Sequence, residues 1–435
     1  MTRQLLPVFA LFVSTAFLLA GGGMQAVLLP VRGQIEGFSA SQIGFIGAGW
    51  AIGFTVGCII VPHLVRRVGH VRTFSALAAI LATVVLLNGM IIEANTWIVL
   101  RALAGFCFSG SYMIIESWLN ERITNESRGA MFSIYMVISQ AAYMAGQYLL
   151  VVANPERETL FMVGAILYCL AVLPTALSKA QSPAPLTQVQ IDLKSMFFNS
   201  PAAFIGALVI GTLAGSFQSF APVYGVAQGM SSTNIANMMA CVMLGAVIFQ
   251  FPLGKASDLV DRRFVMVGLS LGGTLAGFSV PLFASADSQP SYTFFATMVV
   301  LGGFIYPLYG LVTAYANDHA EPEDFVKISS SLLILYGIGS IIGPLVTGPI
   351  MEFFGSQALF QTIGATHFLL AIYLTYRITR REAPQTDDQT MDYQPMPFAV
   401  GQTTETYSLD PRSDADTYLS STEEDENEGS GEKER

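Results

Sequence analysis

Apolar residues in this chain fall in long, unbroken runs set apart by short polar stretches. The runs do not alternate polar and apolar positions, so they read as helices and not as half-buried strands. A helix needs about 20 apolar residues to cross the ~30 Å of hydrocarbon in a bilayer. Inside lipid the backbone must satisfy its own hydrogen bonds, which admits only helices or closed barrels. Twelve runs meet the requirement: residues 5–30, 41–64, 72–92, 95–118, 129–152 and 158–178, then 200–225, 233–253, 264–285, 291–316, 326–350 and 356–377. The first continues apolar through "GGGMQAVLLPVRG" instead of ending at a small-residue cleavage site, so it reads as a span and not as a signal peptide.

A polar, proline-containing stretch, "SKAQSPAPLTQVQIDLKS", divides the runs six and six. This predicts an N-terminal six-helix bundle over 1–178, a linker over 179–199, a second bundle over 200–377 and a tail over 378–435. The halves correspond in detail. Span 2 ends at Pro62 before "PHLVRRVGHVR", and span 8 at Pro252 before "PLGKASDLVDRR". Aligning Tyr112 of "YMIIESWLNE" with Tyr309 of "YGLVTAYAND" puts Glu116 on Thr313, Asn120 on Asn317 and Glu121 on Asp318. Gly49, Gly53 and Gly57 step along span 2, and Gly339 and Gly343 along span 11, at intervals that let helices approach closely. Two parallel six-helix halves around a midplane site are a secondary-transporter design.

Composition agrees: 52% of residues are hydrophobic and 12% charged, against about 25% charged in soluble domains. The net charge of −10 belongs to the tail, because residues 1–377 carry sixteen acids and sixteen bases while 378–435 carry fifteen acids and five bases. Such a tail cannot bury enough apolar surface to fold and is expected to be disordered. Its acidity argues against nucleic acid and against adhesion to anionic lipid headgroups. With a cytoplasmic N-terminus, fifteen Lys and Arg flank the spans on the inside and only Arg32 and Arg157 outside. That asymmetry predicts a multi-pass membrane protein with both termini cytoplasmic.

Span 4 carries two charges, Arg101 and Glu116. Fifteen residues apart, they stand about 22 Å from each other along a helix, too far to pair. Charge inside a membrane is costly and marks a functional candidate. The competing structural readings are that Arg101 snorkels to the outer headgroups and that Glu116 caps the helix or pairs with Arg122 or Arg128. Cys58, Cys107, Cys169 and Cys241 all lie inside spans without CxxC spacing, and His63, His70, His319 and His367 form no HExxH. There is no Walker loop, no GxGxxG after a strand and no GxSxG. No catalytic residue, cofactor or resident metal is therefore expected. Within "NDHAEPEDF", Asp318, His319 and Glu321 resemble metal ligands, but the stretch occupies the repeat position of "NERITNESR" and reads as a hinge-like loop.

"GKASDLVDRR" resembles the cytoplasmic loop motif of the major facilitator superfamily, through Gly254, Asp258, Arg262 and Arg263. The copy after span 2 departs from it, with Pro62 in place of the glycine and Arg66 in place of the aspartate. Arg101 and Gly105 resemble the RxxxG step that the family carries in span 4. More narrowly, "ESWLNE…SRGAMFSIY" and "YANDHAEPEDFVKISSSLLILYGIGSIIGPL" are similar to a YcaD-type bacterial branch. The resemblance covers 1–377 and implies an all-α integral membrane fold of twelve helices in two pseudo-symmetric halves. It implies a gating role for Asp258 and its neighbours, against the plain reading of a solvated loop with weak ion pairs. It also implies that spans 1, 4, 7 and 10 line a central cavity, which nominates Gln25, Ser109, Tyr112, Gln218, Ser219, Tyr306 and Tyr309 beside Arg101, with Gln140, Tyr143 and Gln147 of span 5 as further candidates. Trp97 and Trp118 read as interface anchors and Trp50 as packing.

The expected function is secondary active transport of a small polar or anionic solute by alternating access, coupled to protons, with Glu116 the nearest candidate for the coupling carboxylate. The expected functional unit is a monomer in the lipid bilayer. A drug/proton antiporter is an alternative, although span 5 lacks the GPxxG-type motif and the nearest likeness, "GIGSIIGPLVTGP", lies in span 11. A polytopic sensor or receptor without transport is another.

Overall fold

The computed structural model describes residues 2–122, 128–177, 191–283, 290–318, 325–380 and 403–409, and these contain no strand. Twelve helices or helix pairs are long and apolar enough to cross a membrane. The first half comprises α1 (Thr2–Ile35), α2 (Ala40–Val68), α3 (His70–Met90), α4 (Ala94–Asn120), α5 (Arg128–Tyr148) and α6 (Thr159–Leu177). A short α7 (Leu193–Asn199) lies in the linker, its first turn capped by Asp192. The second half comprises α8 (Pro201–Ala227), α9 (Ser232–Leu259), α10 (Arg262–Phe283), the pair α11 (Tyr292–Ile305) and α12 (Pro307–Asn317), α13 (Phe325–Phe354) and α14 (Ala358–Ile378). Each expected span is present, with ends displaced by several residues; span 2, for instance, runs on to Val68.

The duplication extends into the turns. Gly37 and Gly229 both take a positive φ, 79° and 69°, and two residues later Ser39 and Ser231 each cap the next helix by accepting from the amide three positions on. Glu93 caps α4 through the amides of Asn95 and Thr96. Hydrogen bonds from Thr96 and from these amides hold its carboxyl below the usual carboxylate range. Span 10 departs from a continuous helix: Pro307 has no N–H to donate, and the chain breaks between α11 and α12 at Tyr306.

Burial alone does not pull helices together in lipid, so close backbone contact must. Glycines supply it at matching places in the halves. A Cβ on Gly53 would lie 1.8 Å from the Ala102 carbonyl oxygen, and one on Gly105 would lie 2.2 Å from that of Trp50, so α2 and α4 cross backbone to backbone. Gly245 against Val299 and Gly302 against Val242 repeat this between α9 and α11. Apolar side chains such as Ile52, Ile59, Val137, Leu275 and Leu282 face outward, as a lipid-facing belt requires.

The ends of the bundle are distinguished here as terminal, where α1 begins and α14 ends, and distal, where α1 turns into α2. The tail, expected to be disordered throughout, contributes a described helix, α15 (Thr404–Leu409), at the terminal end. Thr403, Thr406 and Leu409 are fully buried there, against α4 and α13. The physical reason is local: "TTETYSL" holds a single acid among hydroxyl and apolar residues, unlike the charged run that follows.

Gly53→Ala should lower the melting temperature of the detergent-solubilised protein, because overpacking a tight contact costs about 1–3 kcal/mol. Gly268→Ala, where an added Cβ meets nothing within 4 Å, should leave it unchanged. Equal effects would contradict the packing account.

Candidate functional site

A cavity lies between the two halves. On the first half it is walled by Gln25, Trp50, Arg101, Tyr143 and Tyr168, and on the second by Gln218, Ser219, Tyr306, Tyr336 and Ser340. The crossing of α2 and α4 sets its charged corner. The glycine contact that brings Gly105 onto the Trp50 backbone also places the Arg101 guanidinium 5.6 Å from the centre of the Trp50 ring. Arg101 donates to Gln25 Oε1 at 3.4 Å, and Tyr168 donates to the same oxygen at 3.2 Å. Arg101 thus points into the cavity and does not snorkel to the headgroups. Among the described residues, no carboxylate lies within ion-pair distance of it.

The cavity is closed on the distal side. Gly44 and Gly348 let α2 and α13 touch at the Pro344 and Ala40 backbones. Ser41 donates to Glu352 at 2.5 Å across the halves, and Tyr148 donates to Asn237 at 2.8 Å. Deeper in, Gln218 donates to the Tyr143 hydroxyl at 2.7 Å. On the terminal side α15 lies in contact with α4 and α13.

The family model described as Major Facilitator Superfamily matches residues 11–236 and 203–400. The chain belongs to the major facilitator superfamily. The MFS-type transporter YcaD of Escherichia fergusonii is 24% identical over 370 residues, 85% of this chain and 95% of that one. The nucleoside transporter NupG superposes with a TM-score of 0.73 at 13% identity, over 85% of this chain and 98% of its own. A bacterial homolog of the human lysosomal transporter Spinster, in an inward-facing and occupied conformation, gives 0.69 at 16% identity, over 89% and 98%. At these identities the structures speak for the fold alone. The protein is a multi-pass membrane transporter of this superfamily.

The sequence candidates divide on this geometry. Arg101, Gln25, Gln218, Ser219, Tyr306 and Tyr143 line the cavity; Tyr112, Tyr309, Ser109, Gln140, Gln147 and Glu116 do not. Tyr112 packs against Tyr135, with ring centroids 6.1 Å apart, on the terminal side of the cavity. Tyr309 lies edge-on to Tyr336 at 5.2 Å. Trp50, read as packing, is a cavity wall, and Tyr168, Tyr336 and Ser340 join it unforeseen. No sequence signal separates these aromatics from core residues, since a lone aromatic in an apolar run suits either role.

Glu116 is fully buried and pairs with neither Arg122 nor Arg128. Its carboxylate accepts from Tyr135 at 3.0 Å, from Thr406 at 2.6 Å and from Thr403. The superfamily loop motif is built into the second half. Arg262 bonds Asp258 at 2.8 Å and Ser257 at 3.0 Å, and reaches across to Asp318 at the end of α12 at 2.7 Å. Arg263 pairs with Asp261 at 2.7 Å. This motif is therefore not a solvated loop: the Arg262 and Asp318 side chains are 1% and 3% exposed. Gly254 is buried in α9 and its carbonyl accepts from Ser257 at 2.7 Å. Gly105 acts through the helix crossing described above. Among the described residues no three metal-ligating side chains converge; His319 and Glu321 lie outside them.

Arg262→Met should destabilise the protein by about 3–5 kcal/mol, as removing one member of a buried ion network leaves the others uncompensated. Thermal unfolding reads this directly, and an unchanged melting temperature would mean that the network carries no structural load.

Proposed function

We propose that the protein is a secondary active transporter of a small organic anion, working by alternating access in the bacterial inner membrane as a monomer with both termini cytoplasmic. One observation carries the reading: a guanidinium, Arg101, stands in the central cavity with no carboxylate among the described residues within ion-pair distance. A charge inside the membrane without a counterion is costly, and a bound anion supplies that counterion. Arg presents a planar fork that matches a carboxylate or phosphate by two parallel hydrogen bonds. Around it, Gln25 and Gln218 offer amides, and Trp50, Tyr143, Tyr168, Tyr306 and Tyr336 offer ring faces and hydroxyls. This lining suits a solute with one anionic group and an apolar or aromatic body.

The distal seam fits a conformation closed outward, with the solute path leading to the terminal, cytoplasmic side. The Asp258–Arg262–Asp318 network joins α9, α10 and α12 at that side, where it would keep the second half rigid as it rocks. Coupling to protons falls to Glu116, the buried carboxylate of the first half. A cationic drug as cargo is disfavoured by the sign of the cavity's charge.

A thermal-shift panel of organic monoanions, cations and neutral nucleosides tests this. A ligand that binds the folded state raises the melting temperature by mass action, about 2.7 kcal/mol at a hundred times Kd. Hits should be anions, and Arg101→Gln should abolish their shift. Arg101→Lys should weaken it by losing the fork. Stabilisation of Arg101→Gln equal to wild type, or hits among cations alone, would overturn the reading.

A further inference from the structure

Glu116 lies where the first half meets the terminal end, and its carboxylate would be a costly orphan there without donors. Of the three hydroxyls that serve it, one is Tyr135 of α5 and two belong to the tail. Thr403 and Thr406 are locked to each other, as the Thr403 amide donates to Thr406 Oγ1 at 2.9 Å and the Thr406 amide to the Thr403 carbonyl at 3.1 Å. This turn presents both hydroxyls to one carboxylate. Leu409, at the other end of α15, is fully buried in the main apolar core. Glu405 is buried too, and desolvation pushes its carboxyl up to about 7. The segment is thus inserted into the bundle, and it touches one helix from each half, α4 and α13.

We propose that residues 403–409 are an autoinhibitory latch, docked through Glu116 between the two halves, that must leave before the terminal ends can close. The inference rests on the alternating-access reading, in which the halves close at one end as they open at the other. A segment seated between α4 and α13 binds only the conformer whose terminal ends are apart, and so shifts the population toward it. The geometry permits release and return. Ile378 and Thr403 are 25 positions apart, and 25 residues of chain reach at most about 80–90 Å, length enough for the segment to leave its seat. Being on the same chain makes docking intramolecular. Negative charge added at Thr403 or Thr406, as by phosphorylation, would face the Glu116 carboxylate and expel the segment.

The test uses the full chain in two measurements. The first is hydrogen–deuterium exchange of the 403–409 backbone in wild type, in Thr403→Val with Thr406→Val, and in Thr406→Asp. Each variant removes or repels hydrogen bonds to Glu116, so both should lose protection about tenfold or more. Thr403→Ser with Thr406→Ser keeps the hydroxyls and should retain it. The second is the distance between spin labels at Glu156→Cys and Gln357→Cys, with the four native cysteines replaced by alanine. Wild type should give a single short distal distance, and the valine and aspartate variants should add a longer one as the distal seam opens. Rapid exchange of the segment in wild type, or protection that persists in both variants, would overturn the docking. An undocked tail with an unchanged distal distance would overturn the latch. Neither measurement needs a substrate, so failure here is separable from failure of the anion assay.

Discussion

The backbone contact between α2 and α4 organises most of what the protein does. Without a hydrophobic force between helices in lipid, Gly53 and Gly105 allow an approach that no side chain would permit. That approach fixes where Trp50 and Arg101 stand relative to each other, and so sets the charged corner of the cavity. The same device in the second half, Gly245 with Gly302, builds a matching unit. The glycine positions fix how the helices cross in each half, and the charged corner of the cavity follows from one of those crossings.

The interface between the halves is uneven, and this gives the cavity its direction. At the distal end, α2 and α13 meet through Gly44, Pro344 and Gly348, and Ser41 closes on Glu352. At the terminal end a buried carboxylate is met by the protein's own tail. The terminal end is thus joined by hydroxyls meeting a carboxyl group, while the distal seam combines small-residue packing with a few hydrogen bonds. In the second half, Thr313 occupies the repeat position of Glu116 and satisfies itself on the Tyr309 carbonyl at 3.0 Å. The two halves have diverged at the one place where the tail docks.

Much of this was legible in the sequence. Run length gave the twelve spans, the "GKASDLVDRR" and RxxxG resemblances gave the superfamily, and charge inside span 4 singled out Arg101 and Glu116. Depth was harder to read. Tyr112 sits on the correct span but eleven residues beyond Arg101, about 16 Å along the helix, which carries it below the cavity. Tyr309 follows Tyr306 by three positions, about 300° around the helix axis, and turns away from the space that Tyr306 faces. The break at Pro307 exposes Tyr306, and span counting alone does not reveal it. Within the tail, composition averaged over 378–435 conceals the six helical residues of α15, with their threonine and leucine face. Trp50 was read as packing because an aromatic in an apolar run has the same pattern whether it meets a helix or a solute.

What distinguishes a transporter from a ligand-binding sensor with the same cavity is movement of the solute's charge across the membrane. The most direct measurement is the current from proteoliposomes on a solid-supported membrane, after a concentration jump of the anion that most raises the melting temperature. The account predicts a transient current in Thr406→Asp, whose tail is released, that saturates with concentration and is absent when Arg101→Gln is added. Saturable binding of that anion with no current and no accumulation of radiolabelled anion inside the vesicles, in protein whose tail has been released by Thr406→Asp, would contradict it.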